Sequence, residues 1–223
     1  MISRLSSKCF FLAHHLFFEE ISPKFNEKAL KYLMDYLYIV FEKAFFRFDI
    51  VSTFYLQLYD EITDNEITLA HILSTDKVLV IGSGSIPSTA EHIVKKTDAM
   101  VTGIDRDIQA VKRAKQYATQ HGLDKKLHIF HADGSEYDIS LFDVIFVSYG
   151  IQDEEQLFFV LERKMNSKAR IIYRLPYDPL FTIQSLPSSI STSFKVKGQK
   201  SSPSLGSIIS LVLVKKPDTT QVK

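Results

Sequence analysis

Lys77-Val78-Leu79-Val80-Ile81-Gly82-Ser83-Gly84-Ser85-Ile86-Pro87-Ser88-Thr89 is the stretch whose reading decides the fold. Four β-favouring apolar residues run into Gly-Ser-Gly, and a helical pattern begins at once with Ala90, Ile93 and Val94. A buried strand, a tight glycine turn and a helix N-terminus form the nucleotide-cofactor corner of a doubly wound α/β fold. The glycines let backbone approach a ligand where a Cβ would collide.

From this corner onward strands and helices alternate. Strand 1 is Val78–Ile81, and the helix after it covers about Ser88–Lys96. Strand 2 is Met100–Ile104, ending in Asp105. A helix follows over about Ile108–His121, with Asp107 as its N-cap and Gly122 just past its end. Strand 3 is Leu127–His131, followed by Ala132-Asp133-Gly134, with no room for a helix between Ser135 and Leu141. Strand 4 is Val144–Ser148, leading into Tyr149-Gly150. A helix over Glu154–Lys164 then precedes strand 5, Ala169–Tyr173. Residues 176–189 carry three prolines and read as an irregular crossing. Strands at Ser193–Val196 and Ser207–Val214 flank a turn at Ser201–Gly206. The pattern predicts an α/β, doubly wound, mostly parallel, seven-stranded Rossmann-like sheet with one antiparallel addition.

Before the corner the chain reads as helical. Residues 1–21 hold a weak apolar period, and 27–47 a clear one (Ala29, Leu30, Leu33, Leu37, Val40, Phe41, Ala44). Residues 48–59 continue that helix or begin another. Thr63-Asp64-Asn65-Glu66 fits a capping box and predicts a short helix through Ile72. The expected organisation is a helical N-terminal domain over 1–75, a cofactor-binding domain over 76–217 and a disordered polar tail over 218–223.

Composition narrows the function. With 27 basic and 26 acidic residues the net charge is +1, which gives no electrostatic footprint for nucleic acid. The one cysteine, Cys9, excludes an internal disulfide framework and points to a reducing, cytoplasmic compartment. No apolar run approaches the roughly 20 residues of a membrane span. His14, His15, His128 and His131 do not form a ligand set, because adjacent helical residues diverge by about 100° and strand positions three apart face opposite ways. No metal site is expected. Phe residues in 10–18 and 41–54, if exposed, would favour a homodimer.

The turn also selects the cofactor. A dinucleotide fingerprint needs a third glycine three positions after the second, and Pro87 stands there. No Gly-Lys-Ser/Thr follows, so a P-loop is excluded. S-adenosylmethionine (SAM) in a class I methyltransferase-like core fits. Gly82, Ser83, Gly84 and Pro87 make the turn, and Asp105, 23 positions after Gly82, ends strand 2 where a carboxylate accepts from the ribose hydroxyls. Arg106 follows it. Asp133 and Gly134 follow strand 3, where a side-chain acceptor takes the adenine amino group. Ser148-Tyr149 closes strand 4 towards the reactive end. Asp107 reads as a cap, and Asp133 also suits a turn with Gly134.

Gly82-Ser83-Gly84-Ser85-Ile86-Pro87-Ser88-Thr89 resembles the Gly-Ser-Gly-Pro-Leu-Pro-Leu-Thr motif of nicotianamine synthases and the related motif of bacterial opine-metallophore synthases. The resemblance continues through Gly103–Asp107, Phe142–Phe146, Arg170–Arg174 and Ser207–Lys216, and spans about residues 63–217. It implies transfer of the 3-amino-3-carboxypropyl arm of SAM to an amine of a small-molecule or amino-acid acceptor, with release of methylthioadenosine. It also implies a catalytic glutamate upstream of the motif, which Glu66, 16 positions before Gly82, matches. Glu66 is equally the cap partner of Thr63. Tyr149, Tyr173 and Arg174 are further catalytic candidates, Arg174 either as a bidentate carboxylate clamp or as a surface ion-pair partner. Ser85 replaces the motif's proline, and 174–206 departs from the family after Arg174, the region expected to choose the acceptor. A small-molecule methyltransferase and a non-catalytic SAM-binding module are the alternative readings.

Overall fold

The computed structural model describes residues 49–148, 151, 153–176, 186–202 and 208–217. Cys9, the helices expected over 1–47, Tyr149 and the tail lie outside the described residues, as does most of the turn expected at Ser201–Gly206. The chain divides into two compact units, Met1–Thr53 and Phe54–Lys223, and the second holds the sheet.

The element order is α1 (Asp49–Ala70), β1 (Lys77–Ile81), α2 (Ser88–Thr97), β2 (Met100–Asp105), α3 (Ile108–Gln120), β3 (Leu127–His131), β4 (Val144–Val147), α4 (Glu154–Lys164), β5 (Arg170–Pro176), α5 (Ser188–Ser193), β6 (Phe194–Ser202) and β7 (Ile208–Lys215). The strands form one seven-stranded sheet in the order β3-β2-β1-β4-β5-β7-β6. The first five run parallel, and β7 pairs antiparallel with both β5 and β6. This is the expected doubly wound sheet with an antiparallel addition.

Burial on both faces explains why β1 and β4 are continuous apolar runs. Val78, Val80, Val144, Phe146, Ile172 and Val212 pack on one face with Ala70, Ile93, Val111 and Ala114 from α1, α2 and α3. Leu79, Ile81, Ile145, Val147, Ile171, Tyr173, Leu211 and Leu213 pack on the other with Leu157, Phe158 and Leu161 of α4 and Ile190 of α5. Phe158 meets Tyr173 and Phe194 edge-on, with centroids 5.0 and 5.7 Å apart. Such edge-to-face packing suits the ring quadrupoles.

Three local expectations are corrected. No helix starts at Thr63: among the described residues α1 runs unbroken from Asp49 to Ala70, so Thr63 and Glu66 lie in its interior and form no capping box. Ile62, Thr63, Glu66 and Ala70 are its buried stripe. The crossing before β6 is not wholly irregular, because Ser188–Ser193 forms α5, anchored by buried Ile190. The strand placed at Ser193–Val196 is the nine-residue β6, Phe194–Ser202, with a register shift between Val196 and Gly198. Its polar sequence suits an edge strand, where lysines discourage further pairing.

Candidate active site

The site is built on the carboxyl ends of β1, β2, β4 and β5, where open α/β sheets hold ligands. The turn after β1 is bolted to β2: the N–H groups of Gly82 and Ser83 both donate to the Ile104 carbonyl, at 2.9 and 3.0 Å. Gly82 has φ +77° and Gly84 φ +69°, in the left-handed region that favours glycine. A Cβ on Gly82 would lie 3.1 Å from Ile151 Cδ1 and 3.3 Å from Ser148 Cβ, so Ser148 sits directly beside the turn. Gly82→Ala is therefore expected to destabilise the domain by about 1–3 kcal/mol, measured as a lower urea midpoint at unchanged m-value. Pro87 is the N-cap residue of α2 and offers no side-chain cap to its first N–H groups.

Asp105 ends β2 and organises the turn. Its Oδ2 accepts from the Gly84 N–H at 2.8 Å and its Oδ1 from the Asp107 N–H at 2.9 Å. One bond per oxygen leaves each a further lone pair for a ligand hydroxyl. Asp107 caps α3 as expected, accepting from the Gln109 N–H at 2.8 Å. Beyond β3, Asp133 Oδ1 accepts from both the N–H and the hydroxyl of Ser135, at 2.8 and 2.7 Å. Arg106 Nε lies 3.1 Å from Asp133 Oδ2. Gly134 backs onto β1, where a Cβ would fall 2.7 Å from Ile81 Cγ2.

The Ser135 N–H and then its hydroxyl hold the Asp133 carboxyl below the ordinary carboxylate range; burial opposes them, and Arg106 adds the smallest lowering effect. A lowered folded-state value means that the stabilisation is complete above the ordinary value and is lost as pH falls through the lowered one. Asp133→Asn should accordingly lower the melting temperature at neutral pH, flatten its acid limb below about 4, and converge with wild type as pH falls further.

Glu66 and Arg174, 108 positions apart, are brought into direct contact. Glu66 is fully buried on α1, and Arg174, 5% exposed, stands near the end of β5. Arg174 Nε donates to Glu66 Oε1 at 2.7 Å and Nη2 to Oε2 at 2.6 Å, a bidentate fork. Nη2 also donates to Thr89 Oγ1 at 3.1 Å, which links the pair to the first turn of α2. Ser210 Oγ of β7 donates to Glu66 Oε1 at 2.6 Å. The guanidinium carbon lies 6.0 Å from the centroid of the Phe146 ring on β4. Arg174 is thus not a surface ion-pair residue.

A second set of contacts locks α1 to α2. His92 Nδ1 lies 2.7 Å from Asp60 Oδ1 and its Nε2 2.8 Å from Asp64 Oδ1, while Lys96 Nζ lies 3.2 Å from Asp64 Oδ2. Asp60, Asp64 and Glu66 share one helix, so this bridge sets the height of Glu66 against the glycine turn. Neither the bridge nor the roles of Thr89 and Ser210 were anticipated. Ser210 left one signal, a polar residue inside the apolar run Ile208–Val214, and Thr89 left another as part of the quoted motif.

Gly82, Ser83, Gly84, Ser148 and Asp105 converge on the turn, Arg106 and Asp133 pair beside it, and Glu66 and Arg174 pair behind its helix. Ser83 Oγ is buried without a hydrogen-bond partner, close against Gly103 of β2. Among the described residues no group of three or more His, Cys, Asp or Glu side chains is placed to hold a metal ion. Among them, too, no helix is long and apolar enough to cross a membrane.

No family model matches the sequence. Over 120 residues the chain is 30% identical to the L-histidine 2-aminobutanoyltransferase of Yersinia pestis, covering 54% of this chain and 45% of that protein. Over 78 residues it is 37% identical to a sterol 24-C-methyltransferase of Aspergillus fumigatus, covering 34% and 20%. The chain thus spans less than half the length of either curated relative. Among solved structures it is similar to a Glu-to-Gln variant of MtNAS in complex with S-adenosylmethionine, with a TM-score of 0.71 and 18% identity over 93% of this chain and 84% of that one. MtNAS in complex with MTA and tNA also matches, with a TM-score of 0.65 and 21% identity over 75% of this chain and 64% of that one. The expected methyltransferase-type fold and the likeness to nicotianamine synthase-type enzymes are both found.

Proposed function

We propose that this chain is a SAM-dependent transferase that moves the 3-amino-3-carboxypropyl group of SAM to an amine of a small acceptor, releasing methylthioadenosine. The single observation that carries the reading is the fully buried Glu66 carboxylate, tied through Arg174 to Thr89 on the glycine-turn helix. A methyltransferase-type sheet does not need such a carboxylate, delivered by a helix that precedes β1. The match to an aminobutanoyltransferase supports the same reaction class.

The residues at the turn suit SAM. Positive-φ glycines allow backbone approach, Asp105 keeps acceptor capacity for ribose hydroxyls, and Asp133 with Arg106 frames the adenine side. SAM supplies an electrophilic carbon next to a sulfonium: the amine's lone pair forms the N–C bond, the C–S bond breaks, and its electron pair leaves on a neutral thioether. The nitrogen gains positive charge as the bond forms. Glu66 holds the amine and accepts its proton, and Arg174 fixes the plane of the carboxylate. Tyr149, two positions after Val147 in the sequence, remains a candidate for contact with the acceptor.

The acceptor in this reading is an amino acid or similar small amine, the product is a chelating amine of metallophore type, and the enzyme works in the cytoplasm without nucleic-acid or membrane partners. Transfer of the methyl group on the same sheet is the second reading, favoured by the match to a sterol methyltransferase. Isotope labelling separates them. Incubation with L-histidine and SAM labelled either in the methyl group or in the four-carbon arm should give a product that carries the arm label only. Methyl label in the product would overturn the proposal in favour of the second reading.

A further inference from the structure

We infer that Ser210 is a positioning residue that decides which oxygen of Glu66 takes the acceptor's proton. This rests on the reading of Glu66 as the base. The two carboxylate oxygens are not equivalent. Oε1 accepts from Arg174 Nε at 2.7 Å and from Ser210 Oγ at 2.6 Å, which uses both its lone pairs. Oε2 accepts from Arg174 Nη2 alone, at 2.6 Å. Glu66 is fully buried, so bulk water does not complete the set. Oε2 therefore keeps an unused lone pair for the proton, and Oε1 serves as an anchor.

The fold supplies Ser210 by register. In the antiparallel β5–β7 ladder Arg174 pairs directly with Ser210, so both side chains stand on the same face of the sheet. That face meets α1, because Ile172 and Val212, two positions away on each strand, pack with Ala70. A slip of one residue would turn Ser210 to the α4 face and a leucine or isoleucine towards Glu66. Ser210 is 1% exposed, and Ile209, Leu211, Val212 and Leu213 around it are all buried. A hydroxyl in such a place needs a partner, and Glu66 is that partner. The seventh strand thus contributes one polar atom to a site otherwise made by α1, α2 and β5.

The test compares wild type, Ser210→Ala, Ser210→Thr and Glu66→Gln in full-length protein, with SAM and L-histidine as substrates. Thermal melting and the SAM dissociation constant are measured alongside kcat and KM. Ser210→Ala should fold, bind SAM within about twofold of wild type and keep its KM values. Its kcat should fall about 10- to 100-fold, the scale set by a misplaced reacting group. Ser210→Thr, which keeps the hydroxyl, should recover most of that loss. A wild-type kcat in Ser210→Ala would overturn the inference, and so would a threonine variant that folds and binds SAM yet stays as slow as alanine. Failure of the arm-transfer reading is seen separately, as S-adenosylhomocysteine released by wild type. The Ser210 comparison is then read on that release, since methylating an amine also frees a proton. Equal rates for wild type and Glu66→Gln, or no release of either thioether, would overturn the base reading and this inference together.

Discussion

Replacing Arg174 with methionine is expected to destabilise the sheet-bearing unit by about 3–5 kcal/mol, because it strands a buried carboxylate. Glu66 is fully buried, and its remaining partner would be the Ser210 hydroxyl. For a unit of this size the loss lowers the melting temperature by roughly 10 °C. The double variant Glu66→Met with Arg174→Met should recover most of it, since apolar residues of similar volume remove both desolvated charges at once. The comparison separates the cost of an orphaned charge from the net contribution of the pair. Urea denaturation of the two single variants and the double variant measures it. An Arg174→Met protein within 1 kcal/mol of wild type would show that the pair is solvated and that the site opens to water.

Glu66→Gln is expected to have the second large effect, on rate more than on folding. Removing a general base typically costs about 10²–10⁴ in rate. Glutamine keeps the shape and one acceptor oxygen, so the contacts to Arg174 Nε and Ser210 can persist at Oε1. At the other end an amide NH2 would meet the Arg174 Nη2 donor, which costs some stability. SAM affinity should stay within a few-fold, because the turn, Asp105 and Asp133 are untouched. A fall in SAM affinity matching the fall in rate would make Glu66 a binding residue, and an unchanged kcat would remove it from the chemistry.

The strand–helix alternation from Lys77 onward was legible because β1 and β4 are short apolar runs and because Gly82, Asp105 and Pro176 close β1, β2 and β5. Asp105 and Asp107 could be assigned by position alone: one ends a strand and the other caps a helix. The capping-box reading of Glu66 failed. Thr63 to Glu66 matches a capping box over four residues, whereas α1 is set by a longer stripe whose buried positions only packing reveals. Thr63 Oγ1 is in fact buried without a hydrogen-bond partner. The Ser188–Ser193 helix escaped because four serines and a threonine give no helical period, and Ile190 alone anchors it. The Glu66–Arg174–Ser210 contact was beyond local reading. It joins three elements separated by 108 and 144 positions, and the β5–β7 register that creates it depends on long-range pairing.

The central claim is that the arm carbon of SAM, and not its methyl carbon, is attacked at this site. The most direct measurement is the identity of the spent nucleoside, by mass spectrometry, after incubation of the full-length protein with SAM and L-histidine. The account predicts methylthioadenosine, formed in step with consumption of the acceptor and nearly abolished by Glu66→Gln. S-adenosylhomocysteine in its place would contradict it.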